Sequence, residues 1–223
     1  MKFTKLFTLI SATLLLVSCN NESNKKNSDG SQCEIAQEVT IQTNNDTWKN
    51  EFSGGTGFVD ADMTDNSKNR GRLLTYFSSA HVESLECSGA ITSLNYGEMD
   101  PSDNKKQLGV GLSIGGSSKV GTFTLNFEVA PLSVTVYALS YYKKYKTYEG
   151  DPNNGLSKDK NSQLIITAGT DFETLDLRDT SEMEVKTVSL TEIESKQLVF
   201  QNKSATVGRV IIDKIVFTYP ASC

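Results

Sequence analysis

The 223-residue chain has a single histidine, His81, and only four cysteines, four prolines and one tryptophan. One histidine excludes a histidine-rich metal centre, and an all-cysteine zinc site would consume every thiol in the chain. Few prolines, with 37% hydrophobic and 22% charged residues, exclude a disordered polyampholyte. No apolar run reaches the ~20 residues that a spanning helix needs, so a multi-span membrane protein is excluded as well. Excess positive charge is also missing. The formal charge is −5, and removal of an 18-residue leader with Lys2 and Lys5 would take it to −7, so charge-driven binding of nucleic acid is not expected.

What is present begins with an address. Met1 to Lys5 is a short basic segment, and Leu6 to Val17 is apolar except for threonine and serine, the length of a signal-peptide core. The segment ends in Leu16-Val17-Ser18-Cys19, which resembles the bacterial lipobox. That resemblance implies a diacylglycerol thioether on Cys19 as the first mature residue, and an extracytoplasmic domain held to the membrane by lipid. Asn20 to Gln32 holds no hydrophobic residue and reads as a flexible tether, spanning roughly 20 Å on average. The expected organisation is a lipoprotein signal peptide (1–18), a tether with lipidated Cys19 (19–32) and one β-sandwich domain (33–223).

Beyond the tether the period is two. Val110, Leu112 and Ile114 alternate with Gly111 and Ser113, and Phe123, Leu125 and Phe127 alternate with Thr122, Thr124 and Asn126. With the glycine-rich stretch Gly115 to Gly121 between them, the two runs read as a β-hairpin with one buried face. Pro131 interrupts pairing, after which Leu132, Val134, Val136 and Ala138 form an inward row opposed by Tyr137, Leu139 and Tyr141, in a strand covered on both sides. Lys143 to Ser162 reads as a long loop. Gln163–Ala168, Val185–Leu190, Gln197–Gln201 and Val207–Tyr219 read as further strands, and Val39 and Ile41 mark the first. Seven or more short strands with polar turns indicate an all-β antiparallel sandwich. Leu73, Leu74 and Phe77 fall at helical spacing, so one short helix is expected over Asn69 to Ala80.

The stretches Gly111 to Phe127, Val134 to Lys143 and Gly208 to Tyr219 resemble a module of secreted and surface proteins from AT-rich Gram-positive and wall-less bacteria. The resemblance covers roughly Leu73 to Tyr219. That module is similar in layout to galactose-binding-like jelly rolls, which often bind carbohydrate and sometimes accompany nuclease or hydrolase domains. In jelly rolls the terminal strands tend to lie antiparallel. This implies a bridge between Cys33 and Cys223, with Cys87 left as a thiol and Cys33 to Cys87 as the alternative.

Motifs of catalysis fail on context. Gly111-Leu112-Ser113-Ile114-Gly115 matches G-x-S-x-G, but a nucleophile elbow needs a strand-to-helix turn and a histidine downstream, whereas His81 lies upstream. Cys87 and His81 lack an assignable orienting partner. The acidic run Asp60 to Asn66 could hold Ca²⁺ but lacks the glycine and distal glutamate of an EF-hand, and Ser53 to Gly57 lacks the Lys of a phosphate loop. No cofactor is expected, and an enzyme is not. Tyr137, Tyr141, Tyr142, Tyr145 and Tyr148 stand beside Asp151, Asn153 and Asn154, and sugars are recognised by aromatic faces and planar polar groups. Tyr141, Tyr145, Tyr148, Asp151 and Asn153 are therefore the candidate ligand residues, for a glycan or another surface ligand. The alternatives are a structural or adhesive envelope protein with a protein partner, or an accessory subunit of a secreted hydrolase or nuclease.

Overall fold

Alternation becomes strands almost everywhere it occurs, in a computed structural model that describes residues 36–52, 61–62, 69–100, 103–116, 118–144, 156–158, 162–177, 184–189, 195–204 and 208–221. In chain order the elements are β1 (Gln37–Gln42), α1 (Asp46–Phe52), β2 (Ala61–Asp62), α2 (Asn69–Phe77), a 3₁₀ turn (Ser78–Ala80), β3 (Val82–Gly89), β4 (Ile91–Asp100), β5 (Asp103–Ile114) and β6 (Gly121–Phe127). They continue as β7 (Ser133–Ser140), β8 (Tyr142–Lys144), β9 (Leu156–Lys158), β10 (Gln163–Ala168), β11 (Asp171–Asp176), β12 (Glu184–Ser189), β13 (Gln197–Asn202) and β14 (Val210–Tyr219).

Two sheets form an open sandwich. The larger runs β12-β7-β14-β5-β4-β8-β9, with β1 also on β14 and β2 on β4; the smaller runs β11-β10-β13-β6-β3. Every described pairing is antiparallel except one contact, Gly97 with Lys143 between β4 and β8. The core between the sheets takes Val110, Leu112, Val134, Val136, Ile212 and Phe217 from one side and Leu85, Phe123, Leu125, Ile166, Leu198 and Phe200 from the other.

The expected hairpin between 109–115 and 121–127 does not form. β5 pairs with β4 and β14, whereas β6 pairs with β3 and β13. The two runs are successive arms of one side of a long bent hairpin whose other side is β3 and β4. It folds over at Ala90, so its near half belongs to one sheet and its far half to the other. Gly115 donates to the Ala90 carbonyl at 2.8 Å, and Ala90 donates to the Val120 carbonyl at 3.1 Å. A Cβ at Gly89 would overlap the Val120 carbonyl, and one at Gly121 would overlap the Ala90 carbonyl. The glycines thus serve a corner between sheets and not a turn within one; alternation reveals a buried face but not the partner strand.

Two further differences concern local elements. The helix over Asn69–Phe77 is present, but a second one, α1, precedes it. α1 starts where Asn45 accepts from the Trp48 N–H at 2.7 Å, as an N-cap does, and it is held because Trp48 and Phe52, one turn apart, are both buried. The segment expected as one long loop carries β8 and β9 near its two ends, paired antiparallel.

β1 and β5 share one side of β14, β5 beside Val210–Ile212 and β1 beside Lys214–Tyr219. At the changeover β14 bulges between Ile212 and Lys214. Thr43 spans the gap, donating its N–H to the Asp213 carbonyl at 2.8 Å and its hydroxyl to the Ile212 carbonyl, and accepting from the Leu112 N–H at 3.4 Å. The bulge sets the Asp213 side chain on the sheet's outer face.

Candidate functional site

The outer faces of the two sheets differ in what they leave open. On the larger sheet, Leu94, Tyr96, Leu139, Tyr141 and Ile211 form a second buried apolar cluster. Gly109 and Gly111 make room for it: a Cβ at Gly109 would stand 2.9 Å from the Tyr96 ring, and one at Gly111 would stand 2.6 Å from Ile211. The Tyr96 hydroxyl donates to Asp213 Oδ1 at 2.7 Å. Burial, with the carboxylate beside it, raises the Tyr96 pKa far above that of a free phenol.

The sequence-derived candidate residues divide accordingly. Tyr141 is only 4% exposed, and the Arg209 guanidinium lies 3.6 Å from its ring centroid. Its ring therefore packs in that cluster with one face occupied by a cation, and it offers no open platform. Tyr137 is half-buried under the Lys214 ammonium at 3.7 Å. Tyr145, Tyr148, Asp151 and Asn153 lie outside the described residues, as do Cys19, Cys33 and Cys223. Ser113 lies within β5, one residue before its end, fully buried, its hydroxyl without a hydrogen-bond partner, and the next element is a strand and not a helix, which is not the geometry of a nucleophile elbow. Cys87 is half-buried on β3 opposite Phe123, and about 20 Å of extended chain separates it from His81. Of the acidic run, only the backbone of Ala61–Asp62 is described. Among the described residues no group of three potential metal ligands comes together, and no helix is long and apolar enough to cross a membrane.

The outer face of the five-stranded sheet is open and polar. Register aligns Ser84, Asn126 and Gln197 in one row, Ser88, Thr122, Gln201, Ile165 and Thr174 in another, and Glu86, Thr124, Val199, Thr167 and Phe172 in a third. The Gln197 amide donates to Asn126 Oδ1 at 2.9 Å, and the Asn126 amide donates to Ser84 Oγ at 3.0 Å. The Gln201 amide donates to Thr122 Oγ1 at 2.8 Å. At the edge, Phe172 is 69% exposed. Five strands spaced by about 4.8 Å make a platform roughly 19 Å across. The sequence does carry a signal for it: Thr122, Thr124 and Asn126 are polar at every outward position of β6. An outward polar row on one strand, however, looks like ordinary solvation until register sets it beside Gln197 and Gln201.

No protein-family model matches the chain, and no curated protein matches it. Among solved structures, it is similar to a family 29 carbohydrate-binding module at 10% identity and a TM-score of 0.34, over 82% of this chain and 89% of that one. It is also similar to the family 11 carbohydrate-binding module from Clostridium thermocellum in complex with a mixed-linked tetrasaccharide, at 9% identity and TM-score 0.30, over 63% and 87%. A family two carbohydrate esterase from Cellvibrio japonicus overlaps at 14% identity and TM-score 0.27, over 61% of this chain and 35% of the esterase.

Proposed function

We propose that the chain is a non-catalytic carbohydrate-binding module whose ligand lies across the outer face of the five-stranded sheet. The observation that carries this is the set of strand-borne amides and hydroxyls, already hydrogen-bonded to one another, on a face whose far edge carries the exposed ring of Phe172. A sugar hydroxyl both donates and accepts, and a side-chain amide offers both functions in one plane. After the internal bonds are made, each amide retains one N–H and spare carbonyl lone pairs. The Phe172 ring supplies the flat apolar surface that the C–H face of a pyranose requires. Affinity electrophoresis of the full chain through a panel of soluble neutral polysaccharides tests this. Retardation by at least one polysaccharide, reduced in Gln197→Ala and Phe172→Ala, is expected. No retardation, or equal retardation in the variants, would overturn it.

We also propose that the domain works outside the cytoplasm, tethered through lipid on Cys19, on the strength of Leu16-Val17-Ser18-Cys19 and the apolar-free segment that follows. A fatty-acid probe should label the wild type and not Cys19→Ala. A Cys33–Cys223 bridge belongs to the same proposal. Gln37 stands opposite Tyr219 in the β1–β14 pair; Cys33 lies four residues before the one and Cys223 four after the other. Non-reducing peptide mapping distinguishes this pairing from Cys33–Cys87.

A further inference from the structure

α1 and α2 lie side by side, and between them is an open pocket of about 560 Å³ lined by Thr47, Glu51, Gly71, Arg72, Thr75 and Tyr76. It is separate from the amide platform. Its volume falls within the range of small-molecule sites.

The walls are held from behind. Tyr76 donates its hydroxyl to the Gln42 carbonyl at 2.7 Å, and Trp48 and Phe52 pack edge-on against its ring at 5.1 and 6.0 Å. Trp48 is itself fully buried and donates its indole N–H to Ser93 Oγ at 2.9 Å. Tyr76 therefore presents a fixed ring with its polar end already committed. The charged groups are less committed. Arg72 donates through Nη1 to the backbone carbonyl of Glu51 at 3.1 Å and not to its carboxylate. Among the described residues, no hydrogen bond or ion pair engages the Glu51 carboxylate. A guanidinium with spare N–H donors and an unengaged carboxylate thus line one cavity without neutralising each other.

Gly71 completes the outline. It lies in the first turn of α2, as its third residue, and a Cβ there would meet nothing within 4 Å. No steric need within the fold explains the missing side chain, and its absence keeps the pocket wall low.

We infer that this pocket is a second ligand site, one that takes a single neutral pyranose with free vicinal hydroxyls. Such a unit donates to the Glu51 carboxylate and accepts from the Arg72 guanidinium through neighbouring hydroxyls, each a charge-assisted bond. Its apolar face covers the Tyr76 ring, and Thr47 and Thr75 border the remaining hydroxyls. A purely anionic ligand would face the unneutralised Glu51 carboxylate, and a purely cationic one would face Arg72.

The chain supplies its own reporter, since Trp48 is the only tryptophan and touches the pocket through Tyr76. Titration of the full chain with methyl glucoside, galactoside and mannoside, followed by tryptophan emission, should give a saturable change with at least one of them. Glu51→Gln should weaken that binding about tenfold or more, the consequence of replacing a charged acceptor. Gly71→Leu should abolish it while the melting temperature stays level or rises, because leucine favours helix and its side chain enters open space. Phe172→Ala, on the other surface, should leave the titration unchanged. This last variant separates the two sites: retardation lost in Phe172→Ala with the titration intact is the result expected if both stand, and a wild type that no polysaccharide retards would overturn the sheet platform and not the pocket. The inference fails if no methyl glycoside gives a saturable signal, or if Glu51→Gln and Gly71→Leu titrate like the wild type.

Discussion

The two sheets use their outer faces in opposite ways. On the larger sheet, Leu94, Tyr96, Leu139, Tyr141 and Ile211 are buried on the outside as well as the inside being filled, so β4, β5, β7 and β14 are covered on both faces where they carry this cluster. On the smaller sheet, β3, β6, β13, β10 and β11 bury one face only and present serine, threonine, asparagine and glutamine on the other. Residues buried on two sides are fixed by packing and leave no group for a ligand. Residues with one free side are fixed by the core beneath them and remain available above it, which is where binding side chains are both ordered and reachable.

The contrast can be broken most directly at Tyr96. Tyr96→Ala should cost about 3–5 kcal/mol, since it empties the second cluster and strands Asp213; urea unfolding measures it, and a loss below about 1 kcal/mol would mean the outer cluster contributes little. Tyr96→Phe keeps the ring but removes the donor to Asp213, with an expected loss of about 1–3 kcal/mol. The same hydroxyl gives a pH signature. Its folded-state pKa is raised, so below pH ~10 both states hold the proton, while above it the unfolded chain releases the proton and the folded chain keeps it. Stability should therefore fall above about pH 10, by up to ~1.4 kcal/mol per pH unit from this group, and fall less steeply in Tyr96→Phe. On the open sheet the pattern reverses. Gln197→Ala should weaken polysaccharide binding about three- to tenfold, the worth of a hydrogen bond, and change unfolding free energy by no more than about 0.5 kcal/mol. Phe172→Ser should be the least disturbing to stability, with a melting curve superimposable on the wild type and affinity lowered. A large stability loss in either would make the open face structural.

The same contrast explains what could be read from the sequence. Val110, Leu112, Ile114, Phe123, Leu125, Phe127, Val134 and Val136 all face the core as their alternation requires, because burial of one face imposes period two locally. Leu73 and Phe77 are buried on α2 as their spacing requires. Partner choice is not local. Nothing between Gly115 and Gly121 distinguishes a turn that returns to the same sheet from a corner that enters another, and the deciding contacts lie at Gly89 and Ala90, some thirty residues earlier in the chain. Aromatic richness pointed to Tyr141, yet Tyr141 belongs to the doubly covered sheet, where an aromatic residue is packing material. The platform went unread because its groups come from β3, β6, β13, β10 and β11, and only the register gathers them. α1 did leave a trace, the Asn45 cap followed by Trp48 and Phe52 at i and i+4, but seven residues are too few for a periodic signal.

The bent hairpin bears on how tightly a ligand can be held. β6 follows β5 after residues 115–120, which are hydrogen-bonded to the Ala90 corner of the opposite arm, so the centre of the open face is anchored to a strand clamped on both sides in the other sheet. Its side chains are already placed by Gln201–Thr122 and Gln197–Asn126–Ser84 bonds before any ligand arrives. Ordering a free side chain on association costs about 0.5–1.5 kcal/mol each, and here much of that entropy is lost at folding. Binding on this face should therefore proceed with little conformational adjustment, its free energy set by surface complementarity and desolvation.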